Sequence, residues 1–265
     1  MKRKKKILIY SLSVFFTVAV IVVANVMRST SVVKGLTVNI DYQGCEPLVT
    51  SDELSQLIYS EYEGVLSKRV MDVKSREIAR IVRHNCYVEE ARASVSVGGN
   101  IEVNVLQRRP IVRIFYNGTE FYADHTGTCF PPSKVGECDV LVGSGDFKTR
   151  MKRSFAEVNL RQLADSAASA RYDIVSLWRL ADYLDRQDFS LLYDQVYVSE
   201  KGDLLLIPRI GNHEVEIGSA DDLDDKFHRL KLFYAQGLPR VGDNAYKRVS
   251  VKYAGQVVCT RRNDK

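Results

Sequence analysis

Ala91-Arg92-Ala93-Ser94-Val95-Ser96-Val97-Gly98-Gly99-Asn100-Ile101-Glu102-Val103-Asn104-Val105 is the stretch that decides the fold. Ala91, Ala93, Val95 and Val97 alternate with polar residues, and Ile101, Val103 and Val105 alternate again beyond Gly98-Gly99-Asn100. Period-two alternation on both sides of a glycine-rich turn predicts a hairpin with one apolar face. Such a face must be covered, and the preceding residues supply the cover. Thr50-Ser51-Asp52-Glu53 offers a capping box (Thr50 with Glu53), followed at helical spacing by Leu54, Leu57, Ile58 and Tyr62. A second helix is expected to begin near Asp72 or Ser75, carry Ile78, Ile81 and Val82 on one face and end near Asn85. Before both, Leu36, Val38 and Ile40 alternate over residues 36–42. Residues 36–106 therefore read as a β-α-α-β-β module.

Downstream the pattern becomes β-rich. Residues 111–116 and 119–123 flank Asn117-Gly118, a type I′ hairpin signal; Asn117-Gly118-Thr119 also matches a glycosylation acceptor. Residues 127–136, which contain Pro and Gly, lead to the apolar run Val140-Leu141-Val142. A helix is expected over residues 172–186, with Ile174, Leu177, Trp178, Ala181 and Leu184 on its inner stripe. Strands follow at 192–198 and 204–208, turned by Lys201-Gly202, and at 214–217. Ser219 is expected to cap a last helix bearing Leu223, Phe227, Leu230 and Tyr234, stopped by Gly237 and Pro239. Strands at 249–253 and 256–260 around Gly255 close the reading. The fold class is α+β: an N-terminal transmembrane helix, the β-α-α-β-β module, and a mixed β-rich domain with two helices over residues 107–262.

The transmembrane expectation comes from the start of the chain. Residues 7–26, ILIYSLSVFFTVAVIVVANV, carry no charge. Twenty helical residues rise about 30 Å, the thickness of a bilayer's hydrocarbon core. A cleavable signal peptide is the competitor, but its apolar region is shorter and ends in a small-x-small site, which Asn25-Val26-Met27-Arg28 does not provide. Five basic residues, Lys2 to Lys6, precede the span, so the positive-inside rule leaves residues 1–6 in the cytoplasm. A tether over 27–35 and the two modules are then exported, in a cell with an inner membrane and a periplasm.

The 265-residue chain has a formal net charge of +5. Without Lys2 to Lys6 the remainder has 33 basic and 33 acidic residues, so it lacks the electrostatic footprint of a nucleic-acid binder. Five cysteines lie beyond the span, where disulfides are permitted. Cys129 with Cys138 could close a short loop and Cys45 with Cys86 could staple the two-helix segment; the alternative is buried small apolar residues, and an odd count leaves one thiol over. No CxxC, HExxH, GxSxG or phosphate-binding glycine loop is present, and His84, His125, His213 and His228 fall in different segments. Asp124-His125 reads as a turn preceding Gly127 rather than a catalytic dyad. The acidic run Asp221, Asp222, Asp224 and Asp225 suits a helix start, with calcium binding as the other possibility. No catalytic residue, metal site, cofactor or small-molecule substrate is expected.

The layout resembles the FtsQ/DivIB division proteins, which have a single membrane span, a POTRA domain and a β domain. The resemblance rests on Gln107-Arg108-Arg109-Pro110-Ile111-Val112-Arg113 directly after the hairpin, similar to the family's Gln/Glu-Arg-x-Pro junction. It continues with Tyr122-Ala123-Asp124-His125-Thr126-Gly127, similar to Y-x-D-x-x-G, and with Phe130-Pro131 and Val140-Leu141-Val142-Gly143-Ser144-Gly145 in order. Three departures stand out: Asn85-Cys86-Tyr87-Val88 lies where the family often has a proline, the cytoplasmic tail is about six residues, and Cys129 precedes Phe130. At the junction, Arg108, Arg109 and Arg113 could clamp acidic groups on the neighbouring module or form a solvated basic turn. The resemblance implies a non-enzymatic scaffold at the septum that docks FtsB/DivIC-like and FtsL-like partners on its last strand, through Tyr253, Ala254, Gly255, Gln256, Val257, Val258, Cys259 and Thr260. The competing readings are a POTRA-bearing component of protein export or outer-membrane assembly, and a membrane-anchored cell-wall enzyme.

Overall fold

The computed structural model describes residues 13–20, 31–96, 98–148, 155, 158–166, 172–240, 242 and 245–262. Residues 13–20 are helical. The rest of the expected span, residues 7–12 and 21–26, lies outside the described residues, among which no helix is long and apolar enough to cross a membrane. Beyond it the fold is α+β, with two compact units that part between Arg108 and Arg109.

The first unit follows the expected order. It consists of β1 (Gly35–Asp41), α1 (Ser51–Glu61), α2 (Ser75–Arg83), β2 (Val88–Val95) and β3 (Asn100–Gln107), with 3₁₀ turns at Val65–Ser67 and Val70–Asp72 between the helices. β3 is central, antiparallel to β2 and parallel to β1. Both halves of the capping box form: Thr50 Oγ1 accepts from Glu53 N at 3.2 Å, and Glu53 Oε2 accepts from Thr50 N at 2.9 Å. Leu54, Ile58, Ile78, Ile81 and Val82 bury their side chains against Ile101, Val103 and Val105, as the apolar stripes require.

The second unit is built on one nine-stranded sheet. Its strands are β4 (Pro110–Tyr116), β5 (Thr119–Asp124), β6 (Cys129–Phe130), β7 (Leu141–Gly145), β8 (Tyr193–Val198), β9 (Leu204–Pro208), β10 (Glu214–Gly218), β11 (Tyr246–Ser250) and β12 (Val258–Arg261). Their spatial order is β12-β11-β10-β9-β8-β7-β4-β5-β6. The helices α3 (Leu160–Ala164), α4 (Asp173–Arg186) and α5 (Leu223–Leu232) share a core with alternate strand residues, including Val112, Ile114, Val196, Leu206, Val215 and Val249. Asn117 and Gly118 have φ of 49° and 80°, the left-handed pair that a type I′ turn demands.

Several expectations are corrected. Ser219 does not cap α5: its hydroxyl accepts from Asp221 N and its carbonyl takes the Lys226 ammonium at 2.9 Å, so the helix starts after Asp222, whose φ is 50°. The helix does not stop cleanly either, but runs on through a π turn, Phe233–Gly237, and a 3₁₀ turn that includes Pro239. The last two strands lie at β11 and β12 rather than at 249–253 and 256–260, because Val251 N turns to Glu216 O of β10 and the chain then leaves the sheet. β6 and α3 are additional, too short to show a period. No disulfide joins any of the five cysteines. Cys129 sits opposite Ala123 in the core on the helix side, where burial pushes its thiol up to about 12. Cys86 is exposed and Cys45 half-buried.

Candidate functional site

β12 ends the strand order, and no described strand pairs with its outer side. Its inner side is antiparallel to β11, with Ser250 opposite Val258, Val249 opposite Cys259 and Arg248 opposite Thr260. Arg262 N donates to Ala245 O at 3.0 Å, towards β11. Backbone groups alternate in direction along a strand, so Thr260 and Val258 also face β11 while Cys259 and Arg261 direct N–H and C=O outwards. On the far side of β11, Val251 N reaches Glu216 O at 2.9 Å, which keeps the same alternation. An outer edge of this kind can accept another strand. Val258 is 43% exposed, whereas Val257 and Cys259 lean on the core.

Of the eight residues expected at the partner site, Val258, Cys259 and Thr260 lie on β12. Tyr253 to Val257 form the loop that precedes it. That loop is held from below by a residue the sequence reading did not single out. Arg229 of α5 donates to the carbonyls of Val251 at 3.0 Å, Tyr253 at 2.8 Å and Gln256, and pairs with Asp225 at 2.9 Å. Its side chain is 11% exposed. The Asp225–Arg229 spacing was legible as a helical pair; the three carbonyls were not, because they come from another part of the chain. Lys252 adds an ion pair with Asp203 at 2.6 Å. Burial pushes the Cys259 thiol above its ordinary value, so it stays protonated at neutral pH.

The junction residues divide between the units. Gln107 is fully buried in the first: its Oε1 accepts from Leu48 N at 2.7 Å, its Nε2 donates to Glu46 O at 3.0 Å, and its own carbonyl accepts from Gln43 Nε2. Arg108 donates to the carbonyls of Cys86 and Val88 in that same unit. Arg109 makes a two-pronged pair with Asp185 of α4 at 2.8 and 2.6 Å, within the second unit. Pro110 starts β4. Arg113 pairs with Glu120, and with Glu137 at 2.9 Å.

The Tyr122–Gly127 motif is an anchoring loop. Asp124 Oδ1 accepts from Thr126 N and Thr128 N, both at 2.9 Å, and from the Thr126 hydroxyl. The Asp124 carbonyl accepts from Trp178 Nε1 at 2.9 Å, which fastens the loop to α4. Gly127 has φ of 79°, and a Cβ there would stand 2.3 Å from Arg161 N at the start of α3. Among the described residues no group of three or more His, Cys, Asp or Glu is placed to hold a metal ion.

What these features define is an α+β protein whose sheet leaves a strand edge open beside a pinned loop. The family model for the FtsQ/DivIB C-terminal related domain matches residues 109–260, and the chain belongs to this family. A role in bacterial cell division goes with that membership. Comparison with curated proteins gives no match.

Proposed function

We propose that the protein is a non-enzymatic scaffold of the division septum. Residues 7–26 anchor it in the inner membrane, with residues 1–6 in the cytoplasm and the remainder in the periplasm. Residues 36–106 act as its POTRA domain and residues 107–262 as its FtsQ-type β domain. The β domain recruits FtsB/DivIC-like and FtsL-like proteins and so helps regulate septal peptidoglycan synthesis. The observation that carries this reading is the position of β12 at the open end of the nine-stranded sheet. A partner segment adds there as a further strand, gaining main-chain hydrogen bonds from Cys259 and Arg261 and side-chain contacts from Val258 and Thr260. Membrane tethering confines both partners to a plane, which raises their effective concentration without new contacts.

The test is affinity capture of the tagged full-length chain from crosslinked membranes, combined with imaging of a fluorescent fusion. Recovery of FtsB/DivIC-like and FtsL-like partners, midcell banding and filamentation on depletion are the expected results. Diffuse envelope signal with normal division would sink the reading.

A further inference from the structure

The chain enters the first unit through a strap. Ser31 O accepts from Val70 N at 2.8 Å, Val33 N donates to Lys68 O at 3.0 Å, and Lys34 N donates to Gly99 O at 3.0 Å. Val32 sits opposite Arg69 in an antiparallel bridge, and Val33 is buried in the core of the unit. The surface around residues 65–74 is thereby fixed beside the point where the chain arrives. From Val26, the last residue of the expected span, to Ser31 the chain advances five residues, which reach at most about 18 Å when fully extended. Headgroups occupy roughly 5–7 Å of that on each side of the hydrocarbon core. The strap therefore stands within about a dozen ångströms of the headgroup layer.

The composition of this surface suits that position. Val32, Leu66 and Met71 are 48%, 43% and 63% exposed. Lys34, Lys68, Arg69 and Lys74 belong to the same segments; Arg69 pairs with Asp72 at 2.8 Å and Lys74 with Glu77 at 4.0 Å, which leaves four cations against two acids. Glu61 and Glu63, the nearest acids before Asp72 in sequence, precede the turn at Gly64. Apolar side chains beside basic ones in excess over acids are the arrangement that settles on anionic lipid: the apolar groups enter the headgroup layer and the cations meet phosphates.

We infer that the strap and residues 65–74 form a lipid-contacting foot, which seats the first unit on the surface of the membrane that holds the anchor. This rests on the anchor reading above. The foot restricts the tilt of the unit relative to the bilayer.

The full-length chain is reconstituted into vesicles of phosphatidylethanolamine and phosphatidylglycerol whose acyl chains are brominated near the headgroup end, so that bromine quenches nearby tryptophan. Met71→Trp places a probe on the foot, and Ser51→Trp places one at the start of α1, whose other end leads towards residues 65–74. Trp178 is buried and contributes a common background. Emission added by Met71→Trp is expected to be quenched several-fold more than that added by Ser51→Trp, and the excess is expected to fall when Lys68→Glu and Arg69→Glu are introduced. Equal quenching at the two positions in protein that resists carbonate extraction overturns the foot and leaves the anchor standing. Release of the protein by carbonate overturns the anchor, and the foot with it.

Discussion

Gln107 shows how a single side chain can replace a stretch of regular structure. Leu48 N and the Glu46 carbonyl belong to a loop outside the strands, and the buried amide of Gln107 bonds to both. Gln107→Ala removes both buried hydrogen bonds and opens a small void, so the first unit should lose about 2–3 kcal/mol. Urea unfolding would detect this as a lower midpoint with an unchanged slope; a midpoint within error of wild type would refute it. Arg229 holds three carbonyls beneath the loop before β12. Arg229→Ala leaves the sheet core intact but frees the loop, so partner capture should weaken while the circular dichroism spectrum is retained. The readout is the dissociation rate of a captured partner, since loosening a pre-formed site acts mainly there.

At the scale of elements, β12 separates two kinds of backbone group. Val258 and Thr260 spend theirs on β11, whereas Cys259 and Arg261 face outwards. A proline tests this directly, because it removes one N–H and is tolerated on an edge strand where that N–H faces away from the sheet. Cys259→Pro should keep stability near that of wild type and abolish partner capture, and Cys259→Ala should retain capture. Val258→Pro should instead break the β11–β12 ladder and lower the unfolding midpoint. A larger stability loss for Cys259→Pro than for Val258→Pro would show that the alternation is assigned the wrong way round. The helices tell a related story of local against distant control. The capping box at Thr50 and Glu53 was legible because both halves lie within one turn. The start of α5 was not, because Ser219 turned its hydroxyl to Asp221 and its carbonyl to Lys226 instead.

For the whole molecule, the division between Arg108 and Arg109 implies that the second unit carries its own core. A fragment of residues 109–265 should therefore unfold cooperatively in urea, with tryptophan emission from the buried Trp178 reporting the transition. A broad, non-cooperative loss of signal would mean that this unit depends on the first. The same fragment offers a clean setting for partner capture, since it contains the open edge and lacks residues 7–26.

The sequence by itself determined the α+β class, the β-α-α-β-β order of the first unit, the inner stripe of α4 and the Asn117-Gly118 turn. Each of these is set by periodicity or by chemistry within a few residues, and the buried stripe of Ile174, Leu177, Trp178, Ala181 and Leu184 is the plainest instance. Tertiary structure alone decided the merging of β4 to β12 into one sheet, the limits of β11 and β12, and the choice of Arg229, Asp185 and Gln107 as fastening residues. Strand order and carbonyl acceptors come from parts of the chain far apart in sequence. Hydrogen-bonding groups on the backbone are the same for nearly every residue, so no local pattern of side chains records where they will be spent.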